Sequence, residues 1–144
     1  MKKILLSTFV MALFAIGFMA SDDEKRDRVA QEEVPVNMET VNVEQMLLDL
    51  NQNEMRAQKK YAGKWFEIVG RLGGMDSEGE YFSLEDETFS ILDVHCKIPK
   101  DKREELTNIL ADMNKGETIA VKGKVTDMGE IMGYEVSIVE VYRK

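Results

Sequence analysis

The chain has 144 residues, with 19 basic and 27 acidic side chains and a formal net charge of −8. That balance works against broad phosphate binding, because DNA and RNA reward an excess of Lys and Arg. The single cysteine, Cys96, excludes an internal disulfide, so the fold must hold by its core alone.

Residues 1–20 have the plan of a secretory signal peptide. Lys2 and Lys3 give a charged start, and Ile4 to Met19 is apolar apart from Ser7, Thr8 and Gly17. Ala20 suits the last position before a cut, but Phe18 is large for the position two before it; Ala15-x-Gly17 is an alternative. A lipoprotein signal would need a cysteine after the apolar run, and Ser21 stands there. An uncleaved anchor is the other reading, since a span needs at least about 17 apolar residues. The expectation is an exported protein of the bacterial periplasm or cell envelope, with a membrane link only through an uncleaved signal. Loss of Lys2 and Lys3 leaves 17 basic against 27 acidic residues, a net of −10.

Residues 21–41 are charged and carry no sustained hydrophobic period, which reads as a disordered tether. A domain is then expected over residues 42–144. Asn42 followed by Gln45 has the form of a capping box, and Val43, Met46, Leu47 and Leu50 supply an apolar helix stripe. A second helical stretch, Glu54 to Ala62, leads to Gly63 as its stop.

Strand patterns follow. Lys64 to Gly73 places Phe66, Ile68, Gly70 and Leu72 on one parity. Gly74 to Gly79 reads as a turn, and Tyr81 to Leu84 as a second strand broken by Glu85, Asp86 and Glu87. Phe89 to Ile98 is the third; Leu92, Val94, Cys96 and Ile98 share one face, and Asp93, His95 and Lys97 the other. Pro99 ends it. Leu106, Ile109, Leu110 and Met113 mark a helix over 101–113. Thr118 to Thr126 and Ile131 to Tyr142 are the last two strands, around a turn at Asp127 to Glu130.

One plan is written twice, as Gly63-x-x-Phe66-x-Ile68-x-Gly70-x-Leu72 and as Gly116-x-x-Ile119-x-Val121-x-Gly123-x-Val125. Two strands built alike, each with a glycine on its apolar face, suggest the two most bent strands of a small barrel. Three strands, a helix and two strands is the order of the five-stranded Greek-key OB-fold barrel, here an all-β fold with accessory helices and a helical N-terminal extension.

The residues themselves resemble a family. Asn53-Glu54 leading to Ala57 and Lys60-Tyr61-Ala62-Gly63-Lys64, then Ile68-x-Gly70-x-Leu72, is similar to the tRNA-anticodon-like OB-fold family of short exported bacterial proteins, tRNA_anti-like. So are Val94-x-Cys96 and the run from Lys115 to Val125. The similarity covers about 43–142. It implies an OB-fold; the family's name rests on a likeness to nucleic-acid-binding domains, and a fold does not carry its function with it. No catalytic residue transfers from it.

The residues point away from catalysis. His95 and Cys96 are adjacent on a strand and so face opposite ways, which prevents a nucleophile–base pair. One His and one Cys fall short of a usual zinc site. Cys96 is expected in the core and His95 on the surface. The acidic run Glu85-Asp86-Glu87, with Asp76 and Glu78, lacks the calcium-loop order and reads as a solvated turn. Ser77, Ser83 and Ser90 stand in no nucleophile motif, and Gly73-Gly74 opens no phosphate loop. No metal, cofactor or enzymatic activity is expected.

Binding remains. An OB barrel presents its second and third strands and two flanking loops, which here means Tyr81, Ser83, Asp93, His95 and Lys97, with the loops Gly74 to Gly79 and Asp127 to Gly133. Arg71, Lys122 and Lys124 should project from the first and fourth strands. Trp65 falls on the parity opposite Phe66 and is expected to pack under the N-terminal helices. The leading expectation is a non-catalytic binding module of the cell envelope, with a protein or small ligand as partner. The alternative is single-stranded nucleic-acid binding, which Tyr81, Arg71, Lys97, Lys122 and Lys124 would serve and the acidity disfavours. A purely structural envelope protein is a third reading.

Overall fold

The computed structural model describes residues 33–129 and 132–144. The expected signal peptide, most of the expected tether and the first residue of the expected last strand, Ile131, lie outside the described residues. The elements are β1 (Glu39–Asn42), α1 (Val43–Gln52), α2 (Glu54–Tyr61), β2 (Trp65–Met75), β3 (Tyr81–Asp86) and β4 (Phe89–Lys97). A 3-10 turn (Lys100–Lys102), α3 (Arg103–Ala111), β5 (Thr118–Gly129) and β6 (Gly133–Arg143) follow.

The strands pair in the order β2-β3-β4-β6-β5, and β5 returns to β2, so the sheet closes. Only the β4–β6 pairing within the barrel is parallel. This is the five-stranded OB barrel that the element order implies. Closure pairs most of the strand edges and leaves the first half of one β2 edge to β1. The two glycine-bearing strands are direct neighbours: Phe66 lies opposite Gly123, Ile68 opposite Val121 and Gly70 opposite Ile119.

The glycines have a steric reason. A Cβ on Gly70 would run into the Val43 side chain at the start of α1. One on Gly123 would come within 2.6 Å of the Ser137 carbonyl oxygen. β2 serves two partners on one edge, β1 along Phe66–Val69 and β3 from Arg71 onward, and Gly70 marks the change.

β1 corrects the sequence reading. Composition places Glu39 to Val41 in the tether, yet they run parallel to β2, Glu39 opposite Phe66 through Asn42 opposite Val69. The segment is short and mostly exposed. Its extended form follows from the open edge of β2, which no local pattern announces. Strand ends also move outward: β2 continues through Gly73 and Gly74 to Met75, β3 includes Glu85 and Asp86, and β5 reaches Gly129.

The core is the inward face of the barrel, with Ile68, Leu72, Phe82, Leu84, Val94, Cys96, Val121, Val136 and Ile138 buried. Chain direction puts α1 and α2 at the end where β2 starts and β5 finishes. There α1 buries Val43, Met46, Leu47 and Leu50. α3 joins the end of β4 to the start of β5, so it closes the other end, burying Leu106 and Leu110.

Both N-terminal helices are capped. The Asn42 side chain accepts from the Gln45 amide at 2.7 Å, and Asn53 from the Arg56 amide at 3.0 Å. The expected reciprocal half of the first box is replaced: the Gln45 side chain donates to Asp49 at 2.9 Å instead. Asp49 also accepts from the Tyr61 hydroxyl at 2.6 Å and the Lys60 ammonium at 2.8 Å. Tyr61 packs edge-on against Phe66 and Tyr134, and the Tyr134 hydroxyl donates to the Met46 carbonyl at 2.7 Å. These bonds fix the helical extension to the barrel.

Candidate binding face

The outward side chains of β3, β4 and β6 form the face that the fold makes available. Strand alternation sends Val94 and Cys96 inward and leaves Asp93, His95 and Lys97 on the outer side. Register then places Tyr81 opposite Lys97 and Ser83 opposite His95. The Tyr81 and His95 rings lie 4.7 Å apart between centroids, tilted by 31°. Tyr81 is 42% exposed, so it stays partly open to solvent.

β6 continues the face. Glu135 lies opposite His95 and Ser137 opposite Lys97. The Lys97 ammonium sits 2.9 Å from the Glu135 carboxylate. Ser137 in turn is opposite Lys124, and Lys124 opposite Trp65. The register therefore runs around the closed barrel in the order Tyr81, Lys97, Ser137, Lys124, Trp65, one residue on each of its five strands. Trp65 is half-buried on this outer side.

Of the residues expected to bind, Tyr81, Ser83, His95 and Lys97 come together, and Lys124 stands on β5, two strands from Lys97 across Ser137. Ser83 is buried, with its hydroxyl 3.4 Å from Glu85, so it backs the face and offers little surface. Arg71 and Lys122 are held elsewhere. Arg71 is ion-paired with Glu87 at the β3–β4 turn. Lys122 reaches Glu140 at 3.4 Å and lies over the Tyr142 ring. A lysine's parity gives its side of the sheet, while cross-strand carboxylates decide whether its charge is spent; this is why the sequence grouped them.

The flanking electrostatics are acidic. Burial pushes the Asp93 carboxyl above its ordinary value, and Glu85 adds to this. On the far wall, a hydrogen bond from Lys144 at 2.8 Å holds Glu67 below its ordinary value. Burial and then the Glu67 carboxylate push the Tyr142 phenol up to about 12. The turn Asp76 to Glu80 is tied by the Glu80 amide to Asp76 and packs Gly79 on Thr107 of α3, so it is a braced loop.

Cys96 is buried, and burial pushes its thiol far above its ordinary value, which leaves it an inert core side chain. Among the described residues no three His, Cys, Asp or Glu side chains are placed to hold a metal ion. No helix among them is long and apolar enough to cross a membrane.

Similar folds recur among solved structures. A putative aspartyl-tRNA synthetase from Leishmania major matches with a TM-score of 0.51 and 12% identity, over 84% of this chain and 26% of that one. The S. pombe Stn1–Ten1 complex matches with a TM-score of 0.46 and 13% identity, over 77% and 81%. Replication protein A of U. maydis bound to ssDNA matches with 0.45 and 16%, over 78% and 76%. At these identities the likeness concerns the fold. No curated protein matches by sequence. The sequence profile described as tRNA_anti-like matches residues 1–134, which takes in β1 through the start of β6. The chain belongs to the tRNA_anti-like family.

Proposed function

We propose that this protein is a non-catalytic binding module of the bacterial cell envelope, taking a protein segment or small ligand on the β3–β4–β6 face. One observation carries the reading. Tyr81 presents a partly exposed ring against His95, on a wall whose central lysine, Lys97, is already neutralised by Glu135. Such a face offers apolar stacking and directional hydrogen bonds with little net positive charge, which suits a ligand other than a polyanion. Export is part of the proposal and rests on Lys2, Lys3 and the apolar run after them.

The second reading is single-stranded nucleic-acid binding, favoured by two cross-strand pairs of an aromatic with a lysine, Tyr81 with Lys97 and Trp65 with Lys124. The two separate experimentally. Capture from envelope extract should be lost with Tyr81→Ala and unaffected by moderate salt. Oligonucleotide binding should fall steeply with salt and with Lys124→Glu. A salt-sensitive oligonucleotide shift would replace the first reading; no shift at low salt would remove the second. Mass analysis of the mature protein tests export by its N-terminus.

A further inference from the structure

The barrel end that carries the N-terminal helices has a surface that adjoins the Tyr81 face at Asp93 and Glu85 and does not include Tyr81. Two open hollows, of about 280 and 370 Å³, lie there and share one wall, Leu92. The first is lined by the β3–β4 turn from Glu85 to Asp93, with Arg71; the second by the α1–α2 corner from Leu50 to Glu54. Large apolar side chains stand exposed around them. Ile91 is 77% exposed, Met132 75% and Met55 76%. Asp93 is paired with Gly133 in the parallel β4–β6 ladder, and Met132 is the residue before Gly133, as Leu92 is the residue before Asp93. Met55 follows Glu54 on the first turn of α2.

The rim is acidic. Glu85, Asp86, Glu87 and Asp93 line the first hollow and Glu54 the second. The cation in that lining, Arg71, is paired with Glu87. Exposed aliphatic side chains inside a carboxylate rim mark an interaction surface, and the rim selects its partner. Two copies of this chain would bring like charges together there. Anionic lipid headgroups would meet the same repulsion. A segment bearing Lys or Arg beside Leu- or Met-type side chains complements both features.

We propose that this end of the barrel docks a cationic, apolar-faced peptide segment of a partner protein. Its aliphatic side chains sit against Ile91, Leu92 and Met132, and its cations meet the carboxylates of the β3–β4 turn. The probe is a labelled synthetic peptide of alternating Leu and Lys blocks, read by fluorescence anisotropy with the full chain. Two control peptides carry Ser for Leu and Glu for Lys. Binding of the Leu/Lys peptide should weaken at least tenfold with Ile91→Ser plus Met132→Ser, and likewise with Glu87→Lys. Tyr81→Ala should leave it unchanged, which separates this surface from the face proposed above. These side chains are exposed, so the variants should keep the wild-type circular dichroism and thermal midpoint. Equal binding of the Ser-for-Leu peptide, or unchanged binding by both surface variants, would overturn the proposal. So would self-association that Ile91→Ser abolishes in sedimentation, or Ile91-dependent co-sedimentation with phosphatidylglycerol vesicles.

Discussion

Asp49 joins the two N-terminal helices, accepting from Gln45, Lys60 and Tyr61 while largely buried. Burial alone raises its carboxyl, but the three hydrogen bonds, led by that from Lys60, outweigh it and hold the group below its ordinary value. The sign follows from the depressed folded value. The stabilisation is complete above the ordinary carboxylate value of 3.8 and is lost as pH falls below it. Urea unfolding at pH 7 and pH 3 should show stability dropping over that interval, with a smaller drop in Asp49→Asn. Tyr61→Phe removes one donor to a charged acceptor and should cost about 1.5–3 kcal/mol at pH 7. A change within error would mean that water replaces the hydroxyl without loss.

β2 changes partner on one edge from β1 to β3, and Gly70 admits Val43 at that point. Gly70→Ala should cost about 1–3 kcal/mol through overpacking. Val43→Ala makes room at the price of a cavity, and the double variant should lose less than the two singles together. A double-mutant cycle by urea unfolding reads this; strict additivity would mean the two residues do not meet. Tyr134→Phe removes the side-chain donor to the Met46 carbonyl, which keeps its helical partner, and should cost about 0.5–1.5 kcal/mol, chiefly by loosening α1 from β6.

The described residues form a closed barrel with helices at both ends, so its interior should open only on global unfolding. Cys96 is fully buried and, with its thiol held protonated by that burial, reports on this. Labelling by a thiol reagent should be slow in the native state and should accelerate with urea in step with global unfolding. Rapid labelling without denaturant would show that a wall of the barrel opens locally. At this scale the acidic balance also acts, since a net charge of −8 should keep oligonucleotide binding weak except at low salt.

By itself the sequence determined the barrel, because the period-2 faces of Ile68 and Val121, the helix stripe at Leu106 and Leu110, and the notches at Gly70 and Gly123 are local patterns with one mutually consistent arrangement. It also determined that Cys96 faces the core and His95 the outside, which parity alone decides. Tertiary structure decided the rest. β1 is a strand only because β2 leaves an edge open to it. Gln45 turns away from its cap because Asp49 lies one turn on. Arg71, Lys97 and Lys122 share a charge and a side of the sheet, yet each meets a different carboxylate, Glu87 from the β3–β4 turn and Glu135 and Glu140 from β6. Which strands become neighbours is a property of closure, and closure is written in no single stretch of the chain.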